Sequence, residues 1–141
     1  MKKMTALLCA LLFAIIGFSF VQTSATNNSI QDGKKVYDTY CISCHMENGM
    51  GVEGAFPSLV KTGNLSDKNR LVKIILQGMR GPLKVNGISF DGEMAGIEMT
   101  DKEVADVINY IRNSWGNKAP LVQVAEIPAA KKAVVKGYQP Y

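Results

Sequence analysis

Cys41-Ile42-Ser43-Cys44-His45 places two thiols three residues apart, with an imidazole directly after the second. On a helical turn both thiols fall on nearly one face, so both reach the two vinyl groups along one edge of a haem. The adjacent imidazole then lies under the iron. C-x-x-C-H is the attachment pattern for c-type haem, and His45 is the expected proximal ligand. Other uses of the residues fit less well. A zinc site needs four ligands, and the chain offers only Cys9 besides this stretch, with no second histidine. A redox C-x-x-C belongs after a strand in a βαβ pattern, which is absent. A disulfide across two residues would leave His45 unexplained.

Such a motif needs export, and the N-terminus supplies the signal. Lys2 and Lys3 precede an apolar run from Met4 to Val21, and Thr23-Ser24-Ala25 offers small residues for cleavage. This is a secretory signal peptide pattern, read as residues 1–25 with cleavage after Ala25. The run is near the lower limit for a membrane span, so an uncleaved anchor facing the periplasm is the alternative. Cys9 lies inside the run and is given no function. The expected location is periplasmic.

The formal charge of +4 misplaces the basic character. Lys2 and Lys3 leave with the leader, and residues 26–116 hold ten Lys/Arg against eleven Asp/Glu. The excess sits in residues 118–141, where Lys118, Lys131, Lys132 and Lys136 face only Glu126. No basic run with interleaved aromatics argues for nucleic acid. The chain divides into the leader, a domain over 26–117 and a basic tail over 118–141 broken by Pro120, Pro128 and Pro140. That tail either folds back over the domain or serves as a handle for an acidic partner.

Three helices should position the motif. Ser29 caps the first, which runs from about Ile30 to Ser43 and carries both cysteines at its end. Gly33 inside it costs about 1 kcal/mol relative to alanine, so something should cross closely there, with Tyr110 the candidate. Residues 46–65, rich in glycine, form a loop. The Pro57 carbonyl is the candidate acceptor for the second nitrogen of His45, since a ligating histidine normally donates there. A second helix starts at Ser66-Asp67 and stops at Gly78. Residues 79–99 read as irregular, with a turn or small hairpin around Leu83 to Ile88. Thr100-Asp101-Lys102-Glu103 is a capping box opening a last helix to about Ser114. No strand pattern is strong enough to build a sheet.

With one histidine, the sixth iron ligand is methionine, another residue or an open site. Met46 and Met50 are tied to the His45 side. Met79 follows a helix end and stays open as a choice. Met99 packs as a hydrophobic staple before Thr100. Met94 lies between Phe90 and Gly96 with no periodic element to bury it, and is the preferred ligand. Arg80 and Trp115 are candidate donors to the haem propionates, or else a solvated charge and a core cap.

The ordered set from Gly33 to Tyr37, through the C-x-x-C-H motif, Phe56-Pro57-Ser58-Leu59, Gly81 to Gly87 and Met94, to Val107 through Asn117 resembles class I monohaem cytochrome c. The likeness is strongest to the small domains serving bacterial nitrite reductases, alcohol dehydrogenases and terminal oxidases. It implies an all-α fold of three to four helices around one covalent haem, thioethers to Cys41 and Cys44, and axial ligands His45 and Met94. Two positions depart from the family: Met46 stands where glycine is usual, and Ala95 where proline follows the axial methionine. The implied function is single-electron transfer to or from a respiratory oxidoreductase, by a monomer or enzyme subunit with no catalysis of its own. A haem enzyme or gas sensor with an open or labile sixth site is the alternative.

Overall fold

The computed structural model describes residues 28–141. The leader, its cleavage after Ala25 and Cys9 lie outside the described residues. Helix α1 covers residues 28–40 and breaks at Cys41, and a single-turn helix α2 (Ile42–His45) follows. Cys41 therefore sits at the break and Cys44 on the turn after it, rather than both ending a continuous helix. Ser29 is inside α1, not its cap. Its hydroxyl donates to Asp106 Oδ1 (2.6 Å) and accepts from Asn109 Nδ2 (3.0 Å).

Helix α3 (Lys68–Gln77) starts one residue later than expected. Asp67 is its cap, accepting from the N–H groups of Asn69 and Arg70, because a carboxylate satisfies two of the orphan amides at a helix start. Gly78 ends it at φ +70. Helix α4 (Asp101–Asn113) opens on the Thr100/Glu103 capping box, with both reciprocal bonds present. The eight residues from Val104 to Arg112 other than Tyr110 are buried.

The all-α expectation is corrected by residues 79–94. Strand β1 (Met79–Val85) pairs antiparallel with β2 (Ile88–Met94), from Met79 opposite Met94 to Val85 opposite Ile88. Asn86 and Gly87 turn the chain, both at positive φ, as a two-residue hairpin loop with right-handed twist demands. The described residues thus hold five α-helices and one two-stranded sheet.

Residues 118–141 fold back over the domain. Val122, Ile127 and Ala130 are buried in the same cluster as Tyr37, Val72 and Ile108. Ile127 lies on α5 (Ile127–Lys132) and is fully buried, worth roughly 1.5–3 kcal/mol. The buried Asn109 amide clamps this segment by mimicking a strand partner: it donates to the Val122 carbonyl (2.9 Å) and accepts from the Val122 N–H (2.7 Å). Lys68 pairs with Glu126 and Lys131 with Asp101, so the tail's glutamate and one of its four lysines are engaged within the molecule.

Helices α1 and α4 cross at Gly33. A Cβ there would stand 2.0 Å from the Asp106 carbonyl oxygen and 2.9 Å from Tyr110 Cβ. Gly33→Ala therefore forces the helices apart and is expected to destabilise the protein by about 1–3 kcal/mol, the usual range for overpacking, read by thermal unfolding. Asp32 bridges the same helices by contacting Lys35 (2.9 Å) and Lys102 (2.9 Å). The two ammonium groups lower its pKa from 3.8 to about 2. A depressed carboxyl pKa stabilises the fold above the unfolded value, and that stabilisation is lost as pH falls through the folded value. Unfolding midpoints measured from pH 5 down to 2 should fall less steeply in Asp32→Asn than in the parent.

Candidate haem site

The break after α1 sets the site. With the chain turning at Cys41, both thiols and His45 come to the wall of one cavity of about 320 Å³. Cofactor pockets run from ~300 to ~1,000 Å³ and are mostly apolar. Ala55, Phe56, Leu83, Phe90 and Ile97 supply the apolar surface. A second cavity, about 100 Å³, shares Cys41, His45, Pro57, Met79, Leu83 and Met94 with the first and extends toward Leu71, Ile75 and Val107. The two form one apolar space between the motif and the hairpin.

His45 is held by the loop that follows it. Its Nδ1 lies 3.0 Å from the Pro57 carbonyl oxygen, which places the proton on Nδ1 and leaves the Nε2 lone pair free. The loop reaches back because Gly51 donates to the His45 carbonyl (3.0 Å) and Leu59 to the Gly49 carbonyl (2.8 Å). Gly51 is at φ +67, and a Cβ there would meet the Phe56 carbonyl at 2.2 Å. Burial holds the imidazole below its usual pKa, and the Pro57 contact opposes this in part. Cys41 and Cys44 are free and half-buried. Burial, and then the neighbouring Cys44, push the Cys41 thiol up to about 11.

The hairpin lines the same space as the motif. Met79 with Met94, Gly81 with Gly92 and Leu83 with Phe90 are register pairs, and all six residues line the first cavity. Met94 is thus the last residue of a strand, not a mid-loop position, and Met79 stands opposite it. Met99 is buried in the core with Val104 and lines neither cavity.

Arg80 and Trp115 are placed elsewhere. Strand alternation turns the Arg80 side chain to solvent, while its main-chain N–H donates to the Gln139 carbonyl (3.2 Å). The Trp115 indole N–H donates to the Glu47 carbonyl (3.1 Å). Its ring packs on Tyr37 and Tyr110, centroids 5.3 and 5.4 Å away, so it is the core cap of the two readings. Thr62, Asn64 and Arg70 line the second cavity instead. Arg70 was hidden from sequence reasoning because a charge in the first turn of an amphipathic helix reads as solvated. The hairpin did carry a signal, since Asn-Gly between alternating apolar residues marks a two-residue hairpin turn.

The donor set fits a c-type haem: two unpaired thiols, a neutral imidazole fixed through Nδ1, and two thioethers lining the same apolar cavity. These features define a helical haem-attachment protein. The family model described as Cytochrome c matches residues 30–115, and the chain belongs to the cytochrome c family. Membership implies covalently bound c-type haem and a role in electron transfer. The chain is similar to cytochrome c-552 of Thermus thermophilus, 33% identical over 118 residues covering 78% of this chain and 77% of the relative. It also resembles the cytochrome c subunit of a quinone alcohol dehydrogenase of Gluconobacter oxydans, 36% identical over 94 residues, 62% of this chain and 19% of that subunit. The gluconate 2-dehydrogenase cytochrome c subunit of Pantoea cypripedii is 33% identical over 116 residues, 77% of this chain and 26% of the subunit. Among the described residues no helix is long and apolar enough to cross a membrane.

Replacing both thiols, Cys41→Ala with Cys44→Ala, should abolish covalent attachment. Intact mass after acid denaturation is expected to show one porphyrin adduct on the parent and none on the double variant.

Proposed function

We propose that this protein is a periplasmic single-electron carrier that holds one c-type haem between His45 and Met94. The observation that carries the reading is the Nδ1 contact of His45 with Pro57, which leaves Nε2 free on a residue that lines an apolar cavity also lined by Met94. When bound, the haem supplies a one-electron iron couple. Cys41 and Cys44 would tether it, His45 would ligate one side of the iron, and the Met94 thioether would fill the other. With His45 and Met94 both holding the iron there would be no place for a substrate, and thioether ligation would raise the potential. The apolar walls add to this, because a low dielectric disfavours the extra charge of the oxidised state. A positive potential suits transfer to or from a respiratory oxidoreductase. The dehydrogenase cytochrome subunits among the relatives support a redox partner of that class.

A second reading of the sixth ligand has its own support: Met79 opposes Met94 in register and lines both cavities with it. Single substitutions separate the two. Met94→Ala is expected to abolish the methionine–iron charge-transfer band of the oxidised protein, give a high-spin spectrum, lower the potential and let the reduced form bind carbon monoxide. Met79→Ala is expected to keep the band. The reverse outcome transfers the ligand role to Met79, and a high-spin parent at neutral pH overturns methionine ligation in favour of an open site.

A further inference from the structure

We infer that residues 138–141 position the methionine end of the hairpin, and so hold a sulfur ligand at the iron. This rests on the methionine ligation proposed above, with either Met94 or Met79 as the ligand.

Three successive contacts land on the residues flanking Met79. The Tyr138 hydroxyl donates to the Gly78 carbonyl (2.6 Å), with the Lys73 carbonyl 3.1 Å away. The Gln139 carbonyl accepts from the Arg80 N–H (3.2 Å), and the Tyr141 N–H donates to the Gln77 carbonyl (3.3 Å). The same stretch also lies against the end of β2 and the residues that follow it. At Gly78, φ +70, a Cβ would stand 2.3 Å from the Met94 carbonyl oxygen and 2.7 Å from Tyr141 Cβ. At Gly96 it would stand 2.6 Å from the Leu76 carbonyl, and Ile97 donates to the Ile75 carbonyl (2.8 Å). Backbone from 75–80 therefore packs against both 94–97 and 138–141, and both methionines sit at that junction.

A lone two-stranded hairpin is marginal in water, so its base needs outside support. The last four residues supply it at specific places. They are not a passive continuation of the core, because the link that carries them from α5 includes Val134, which is fully exposed. The burial of Ile127 anchors the segment, and the contacts at its end are made on the hairpin. A Met-ligated iron binds carbon monoxide only when the sulfur leaves. Loosening the junction should therefore raise the fraction of time the sulfur is off, apart from any change in global stability.

The test uses the full-chain holoprotein with three variants: Tyr138→Phe, a chain ending at Gly137, and Ile127→Val. The last loses tail packing without touching residues 138–141. Carbon monoxide binding to the reduced protein, the methionine–iron band of the oxidised protein and the unfolding temperature are measured for each. Tyr138→Phe is expected to bind carbon monoxide about five-fold faster, the change that loss of one ordinary hydrogen bond corresponds to. The shortened chain is expected to bind faster still, with a weakened band. Ile127→Val should lower the unfolding temperature and leave the binding rate at the parent value. The inference is overturned if the shortened chain keeps the parent's rate and band, or if Ile127→Val accelerates binding as much for an equal loss of unfolding temperature. A parent that lacks the band and binds carbon monoxide at once would overturn the ligation reading itself, a result the parent spectrum alone reports.

Discussion

The structure hangs on one close approach. Helix α1 can lie against α4 only because position 33 carries no side chain, which brings its backbone into contact with the Asp106 carbonyl. That contact puts Tyr37 fully inside, against Tyr110 and Trp115. One turn further on, the chain breaks at Cys41 and delivers the motif to the cavity. The chemistry at His45 is set by a crossing twelve residues upstream that has no chemistry of its own.

Around this crossing the molecule is layered in sequence order but tied across it. Residues near both ends of the described chain meet on α4: Ser29 and Val122 share the Asn109 amide. The loop from 46 to 65 and the hairpin are also joined, through Asn64 to the Lys84 carbonyl (3.0 Å) and Asn86 to the Val60 carbonyl (3.1 Å). Asparagine serves repeatedly here because its amide can both give and take a hydrogen bond where backbone has no regular partner.

What the sequence made legible were features with local causes. The thiol and imidazole spacing, the Thr100–Glu103 box and the glycine stop at 78 each depend on neighbours within a few residues. The Gly33 crossing with Tyr110 was legible for another reason, since a costly glycine in a helix asks for a close neighbour. Less legible were features decided by distant residues. Ser29 looked like a cap and instead donates to Asp106 and accepts from Asn109, on a helix some eighty residues away. Trp115 looked like a donor to a cofactor, but the Glu47 carbonyl takes its indole N–H, and Arg80, the other candidate, is exposed on β1 and lines neither cavity. The hairpin was undervalued because Gly81, Pro82 and Gly92 weaken strand propensity, although Asn86-Gly87 marked its turn. The two departures from the family pattern, Met46 and Ala95, bear on different parts of the site: one follows the imidazole, the other lines the cavity beside Met94.

Met46 has a further meaning. Its backbone adopts φ 63 and ψ 162, a region that side chains strain to occupy, which accounts for glycine being the usual residue there. The same twist turns its carbonyl inward, where it accepts the Tyr37 hydroxyl at 2.6 Å. A phenol sealed in the interior would otherwise be stranded, so the direction in which the chain departs from the motif is dictated by a hydroxyl nine positions earlier. Drift at position 46 is thereby bounded from within the protein: any side chain the metal tolerates must still let the main chain bend back to quiet that oxygen.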